Sequence, residues 1–120
     1  MADYQPKHRP GAGIPMVATA AITGGLLANL DGTISGANST TWLGVASQDA
    51  AIGQTFTAWC EGVQRPQAAG ALTAGTLVKC AAAGQVTAWV SGTDAVERLV
   101  GITLEAAAAA NAQVATKFVR

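Results

Sequence analysis

An imperfect internal echo constrains this chain more than any other feature, because a repeated segment has to form a repeated local structure. The segment LVGITLEAAAAANAQVATKFVR at residues 99–120 answers WLGVASQDAAIGQTFTAWC at residues 42–60. Both open on an apolar residue, a Gly and a β-branched residue, pass through paired alanines, and finish in an alternating run of strand formers. Leu43 aligns with Val100 and Gly44 with Gly101. Beyond Ala51 two registers compete, one matching Gly53 to Asn111 and the other Gln54 to Gln113. Upstream, ITGGLLANLDGTI at residues 22–34 resembles LTAGTLVKCAAAGQV at residues 72–86, with Thr23 over Thr73, Gly25 over Gly75, Leu27 over Leu77 and Gly32 over Gly84. The expectation is a mainly β fold with little helix: a small compact β-barrel, or a β-clip or tulip-like sandwich, built from two similar β units. The units span residues 22–60 and 72–118 of a single β domain (14–120), behind an extended N-terminal arm (1–13).

The echo also decides the most ambiguous stretch. Propensity alone makes EAAAAAN at residues 105–111 a helix. Its counterpart SQDAAIG contains Gly53 and is only seven residues long. At most one or two helical turns are therefore expected, with Asn111 taking the left-handed conformation that Gly53 would take. Elsewhere the chain reads as short strands and turns. Residues 14–21 form a strand without clear sidedness, and Asp31-Gly32 is the strongest hairpin signal. Residues 35–41 are loop by composition. Thr55, Thr57 and Trp59 alternate with Phe56, Ala58 and Cys60, so both faces of that strand can bury something. Pro66 marks an edge or loop, and residues 67–75 read as loop because Gly70 and Gly75 interrupt them. Strands at 77–80 and 85–90 bracket a turn whose Gly84 can take a positive φ. The charged stretch 91–98 is expected to be exposed, and Val114, Thr116 and Phe118 to share one side of the last strand.

Composition narrows the class further. Half of the 120 residues are hydrophobic but only 5% are aromatic, which predicts a thin core completed by neighbouring subunits. Charged residues make up 12%, against about 25% in an ordinary globular protein. A surface so poor in charge suggests that a partner covers much of it. Net charge is zero with Lys and Arg scattered, so no basic face for nucleic acid can be drawn. The uncharged segment 10–30 contains Pro15, Asn29 and several glycines, a poor signal sequence and a worse membrane span. Use in the cytoplasm where the chain is made is the expectation.

Catalytic and metal chemistry find little support. The sole histidine, His8, sits in the arm, so a Ser-His-acid mechanism lacks a base on a rigid element. Asp31, Asp49 and Asp94 fall in turns, where Asp serves backbone hydrogen bonding. Cys60 and Cys80 lack the spacing and partners of a zinc site, and two buried thiols are expected rather than a disulfide. Trp42, Trp59 and Trp89 lie in or at the start of predicted strands, which favours packing in the core or at a subunit interface over a carbohydrate platform. No cofactor or small-molecule substrate is expected. The arm reads either as a solvated terminus or as a segment that orders against a partner.

The ordered set YQPKHRPG, VATAAITGG, LGVASQDAAIG, GALTAGTLVK with AAAGQV, and LVGITLEAAAAANAQVATKF resembles the capsid cement, or head-decoration, proteins of tailed bacteriophages. The resemblance spans nearly the whole chain. It implies a non-enzymatic virion protein, assembled in the host cytoplasm, that binds the outer surface of the assembled shell and stabilises it. Its implied partners are the major capsid protein and two further copies of itself in a homotrimer, with neither nucleic acid nor membrane involved. Within that reading the capsid contact falls on arm residues Tyr4, Gln5, Pro6, Lys7, His8, Arg9 and Pro10. The alternative from another class is a carbohydrate- or host-surface-binding β module displayed on a particle.

Overall fold

The computed structural model describes residues 13–119. It is mainly β, with nine short strands and two one-turn 3-10 segments, Ala82–Gly84 and Val96–Arg98. β1 (Gly13–Val17), β2 (Leu27–Asn29), β3 (Trp42–Ala46) and β4 (Thr55–Trp59) make one antiparallel sheet in the order β1-β4-β3-β2. This sheet curls into a half-barrel. β5 (Val63–Gln64), β6 (Leu77–Cys80), β7 (Val86–Ala88), β8 (Leu99–Thr103) and β9 (Thr116–Phe118) make the second, in the order β5-β9-β8-β6-β7.

The same hydrogen-bond stations recur in the two sheets. Ile22 and Ala50 exchange both backbone bonds, as do Leu72 and Ala107. The Gly25 N–H donates to the Ala46 carbonyl and the Gly75 N–H to the Thr103 carbonyl, each at 2.8 Å. Leu27 faces Val45 and Leu77 faces Ile102; both ladders then slip by a bulge after the next residue. Gly53 and Asn111 donate to the carbonyls of Ala18 and Ala68, at φ of 85° and 68°. That pair, and not Gln54 with Gln113, holds the common station. Residues 105–111 contain no helix.

Two apolar clusters follow from these ladders. Ala18, Ile22, Ala28, Ala46, Ala50, Phe56 and Ala58 fill the inner face of the first sheet. The larger cluster joins Val78, Cys80, Val86, Val100, Val114 and Phe118 of the second unit to Leu27, Trp42 and Val45 of the first. Trp42 meets Phe118 edge to face, with ring centroids 5.3 Å apart. The β2–β3 half of the first sheet is thus sandwiched: Ala28 and Ala46 look into their own unit, while Leu27 and Val45 pack beneath the second.

Several local expectations need correction. The first strand ends at Val17, because the Ala18 N–H and carbonyl turn to Gln54 and Gly53. Asp31-Gly32 closes a tight turn but not a regular hairpin, leaving only a bridge between Ala28 and Ile34. In β4 only Phe56 and Ala58 are buried; Thr55, Thr57 and Trp59 face an open side. Within the charged stretch Asp94 is buried. Cys80 is buried and Cys60 half-buried, and the two are not bridged.

Candidate functional site

Among the described residues no cavity opens, and no three His, Cys, Asp or Glu side chains converge as metal ligands. The binding capacity visible in the structure lies on sheet faces. Tyr4, Gln5, Pro6, Lys7, His8, Arg9 and Pro10 lie outside the described residues.

The first face is the open half of the first sheet. Alternation along β1 and β4 turns Met16, Phe56 and Ala58 inward and leaves Pro15, Val17, Thr55, Thr57 and Trp59 outward. Val17 is 57% exposed and Trp59 39%. Gly13, where the described chain begins, lies opposite Trp59; a Cβ there would stand 3.2 Å from Trp59 Cε3. No ionisable side chain sits among these outward residues, so the face is apolar and hydroxyl-bearing.

The second face is the back of the second sheet. Register places Val63 opposite Lys117, Lys117 opposite Ile102, and Ile102 opposite Leu77. Trp89 continues the row, its N–H donating to the Leu77 carbonyl at 2.7 Å. Val63 is 53% exposed and Leu77 36%. Beside this row the loop 90–98 is strapped down. Lys79 Nζ lies 2.6 Å from Asp94 Oδ1, Arg98 Nη1 lies 3.4 Å from the same oxygen, and the Val90 N–H donates to Asp94 Oδ2. The bond from Lys79, and after it the one from the Val90 N–H, hold the Asp94 carboxyl below its ordinary range. Trp89 Nε1 donates to the Ala95 carbonyl and pins the same loop.

The three turn aspartates serve the backbone. Asp49 Oδ1 accepts from the Gly24 N–H, Asp31 Oδ1 from Thr33, and Asp94 as above. Cys60 sits between the two faces in sequence; burial, with Glu61 adding to it, pushes its thiol up, so it stays protonated at neutral pH. The tryptophans divide: Trp42 is buried in the core, Trp89 is half-buried, and Trp59 is exposed. Sequence reasoning missed Val63, Ile102 and Leu77 as a surface, since only the strand register makes them neighbours.

Apolar sheet faces, with no cavity or metal-ligand cluster, are what the described residues present to solvent. The phage cement protein family model matches residues 8–118, and the chain belongs to that family. It is a structural, capsid-associated phage protein. The solved head fiber gp8.5 N base of bacteriophage phi29 has the same fold, with a TM-score of 0.64 over 88% of this chain and 92% of that one at 16% identity. No curated protein sequence matches the chain significantly.

Proposed function

We propose that this chain decorates the outer surface of an assembled phage capsid as a homotrimer and stabilises the shell against internal pressure, with the major capsid protein as its partner. The observation that carries the reading is the family match over residues 8–118, which takes in the end of the arm as well as both sheets. A decoration protein gains its contacts only when neighbouring shell subunits occupy their final positions, so binding stabilises that arrangement by linkage. Repetition over a symmetric shell multiplies modest contacts.

Arm residues Tyr4 to Pro10 supply one aromatic ring and the cationic Lys7 and Arg9 for contact with the shell. Gly13, the last residue of the arm, pairs with Trp59, and the open β1–β4 face is offered as part of the same contact. An aromatic near the centre of such a patch is a favourable anchor. The test is addition of the purified full-length chain to heads that lack it. Saturable binding at a fixed ratio to the capsid protein, with a raised temperature of head disruption, is expected. Removal of residues 1–10 should weaken that binding. No binding to heads of its own virus at any salt concentration would overturn the reading.

The exposure of Trp59 favours one second reading, a carbohydrate-binding face. Quenching of its fluorescence by host-surface oligosaccharides, abolished in Trp59→Ala, would support that reading. Quenching by heads but not by oligosaccharides would exclude it.

A further inference from the structure

We infer that β1 is a releasable strand: hinged at Ala18, it lifts off β4 while the rest of the domain stays folded, so that the stretch of chain offered to the shell runs on to Val17. The opening itself is a property of the fold. Its use on the shell rests on the proposed function.

Of the four strands in the first sheet, β1 alone holds no buried side chain. Gly13, Ile14 and Met16 are half-buried, and Pro15 and Val17 are exposed. The strand lies at the sheet edge with β4 as its one neighbour. Its bonds to that neighbour are few. The Thr57 carbonyl accepts from the Ser47 N–H at 2.8 Å and so points away from β1. Bonded and non-bonded pairs alternate along an antiparallel ladder, so Pro15, opposite Thr57, makes no bond to β4, nor do Gly13 and Val17 on either side of it. Ile14 and Met16 are left to supply both the hydrogen bonds and the apolar contact. Of the two, only Met16 packs against the cluster beneath.

The counterpart in the second unit is fastened where β1 is not. Ala18 and Ala68 hold one station, accepting from the Gly53 and Asn111 N–H groups, so Met16 corresponds to Pro66. Pro66 is fully buried, and its carbonyl accepts from the Val114 N–H at 3.0 Å. The first unit reaches such an anchor only at Ala18, where the chain is gripped from two sides. Ala18, 1% exposed, donates to the Gln54 carbonyl at 2.9 Å and accepts from the Gly53 N–H at 2.8 Å. Thr19 donates from its N–H to the Gly32 carbonyl and from Oγ1 to the Asp31 carbonyl. A strand tied weakly along its length and firmly at one end opens as a unit about that end. On opening, Trp59 stays with β4 and keeps its place in the contact, while Ile14 and Met16 leave with the strand. A shell that binds these two in the open state draws the chain toward it, since a partner shifts such an equilibrium only by its preference for one state.

Hydrogen exchange of the free full-length chain tests the opening. The amides of Ile14 and Met16 should exchange about 100-fold faster than those of Ala46 and Ala50, which bond to the Leu26 and Ile22 carbonyls within the first unit. Equal protection at all four would mean that β1 leaves only when the whole domain unfolds, and the inference would be lost. A cross-link tests the use. Val17 and Thr55 face each other at a non-bonded pair with exposed side chains, a spacing that a disulfide spans, so Val17→Cys with Thr55→Cys should lock β1 on oxidation without disturbing the core. The oxidised double variant should bind heads about 10-fold or more weakly than the same protein after reduction, because the competent state is withheld. The wild-type chain under both conditions controls for Cys60 and Cys80. If the oxidised and reduced forms both bind as the wild type does, β1 stays seated on the shell and its release plays no part there. Heads that take up neither the reduced variant nor the wild type would overturn the decoration reading instead, with the exchange rates still deciding the opening.

Discussion

At the scale of single residues, two strand glycines lie tight against the backbone of a neighbouring strand. A Cβ added at Gly44 would lie 2.4 Å from the Trp59 carbonyl oxygen, and one at Gly101 2.2 Å from that of Lys117. Both obstacles are backbone atoms of the neighbouring strand, so neither can step aside without opening a ladder. Gly101→Ala should destabilise the chain by about 2–3 kcal/mol in urea unfolding. Gly36→Ala meets nothing within 4 Å and should stay within about 0.5 kcal/mol. Asn111 poses the opposite problem, one of conformation: at φ 68° it sits where Gly53 sits, and its Oδ1 also accepts from Gln85 Nε2. Asn111→Ala should cost about 1–2 kcal/mol, the penalty for an ordinary side chain in the left-handed region. A measured change within error would show that the turn relaxes. The conformation of Asn111 is legible in the sequence because the repeat lays it over Gly53. The reason for Gly44 and Gly101 is not, since each is set by a carbonyl on a neighbouring strand that the sequence does not place beside it.

Among the elements, the strap at 90–98 shows most clearly where sequence reasoning stops. Its composition is that of a solvated loop, and seven of its nine residues are exposed. Asp94 departs from that pattern because β6 brings Lys79 beneath it, a neighbour 15 residues distant that only the strand register supplies. The open side of β4 escaped for the same reason: alternation predicts two faces but not which one a second sheet will cover. The lowered carboxyl pKa of Asp94 makes the strap testable by pH. The folded state binds that proton more weakly than the unfolded chain does, so the stabilisation is complete above the unfolded value of about 3.9. It is lost as the pH falls through the lower folded value. The melting temperatures of wild type and Asp94→Asn should therefore differ by a constant amount between about pH 7 and 5 and converge below about pH 4. A constant difference down to about pH 2 would mean that the carboxylate does not hold the strap.

Across the whole molecule, the two units do not stand on equal terms. The first has a cluster of its own, made of alanines with Ile22 and one large ring, Phe56, while the second completes its cluster only with Leu27, Trp42 and Val45 from the first. Few aromatics and much alanine predict a thin core completed by neighbouring subunits; that one unit of the same chain completes the cluster of the other is not legible in the sequence. That asymmetry has a consequence for cutting the chain between β4 and β5. A fragment of residues 61–120 should fail to fold alone, because without Trp42 the ring of Phe118 loses its edge-to-face neighbour and the cluster loses three of its large members. A fragment of residues 1–60 would expose those same three side chains and should aggregate or remain only partly ordered. Mixed at equal concentration, the two should recover the β signal in circular dichroism and the near-ultraviolet band of a packed Trp42. If the C-terminal fragment folded by itself with a cooperative transition, the shared cluster would be dispensable.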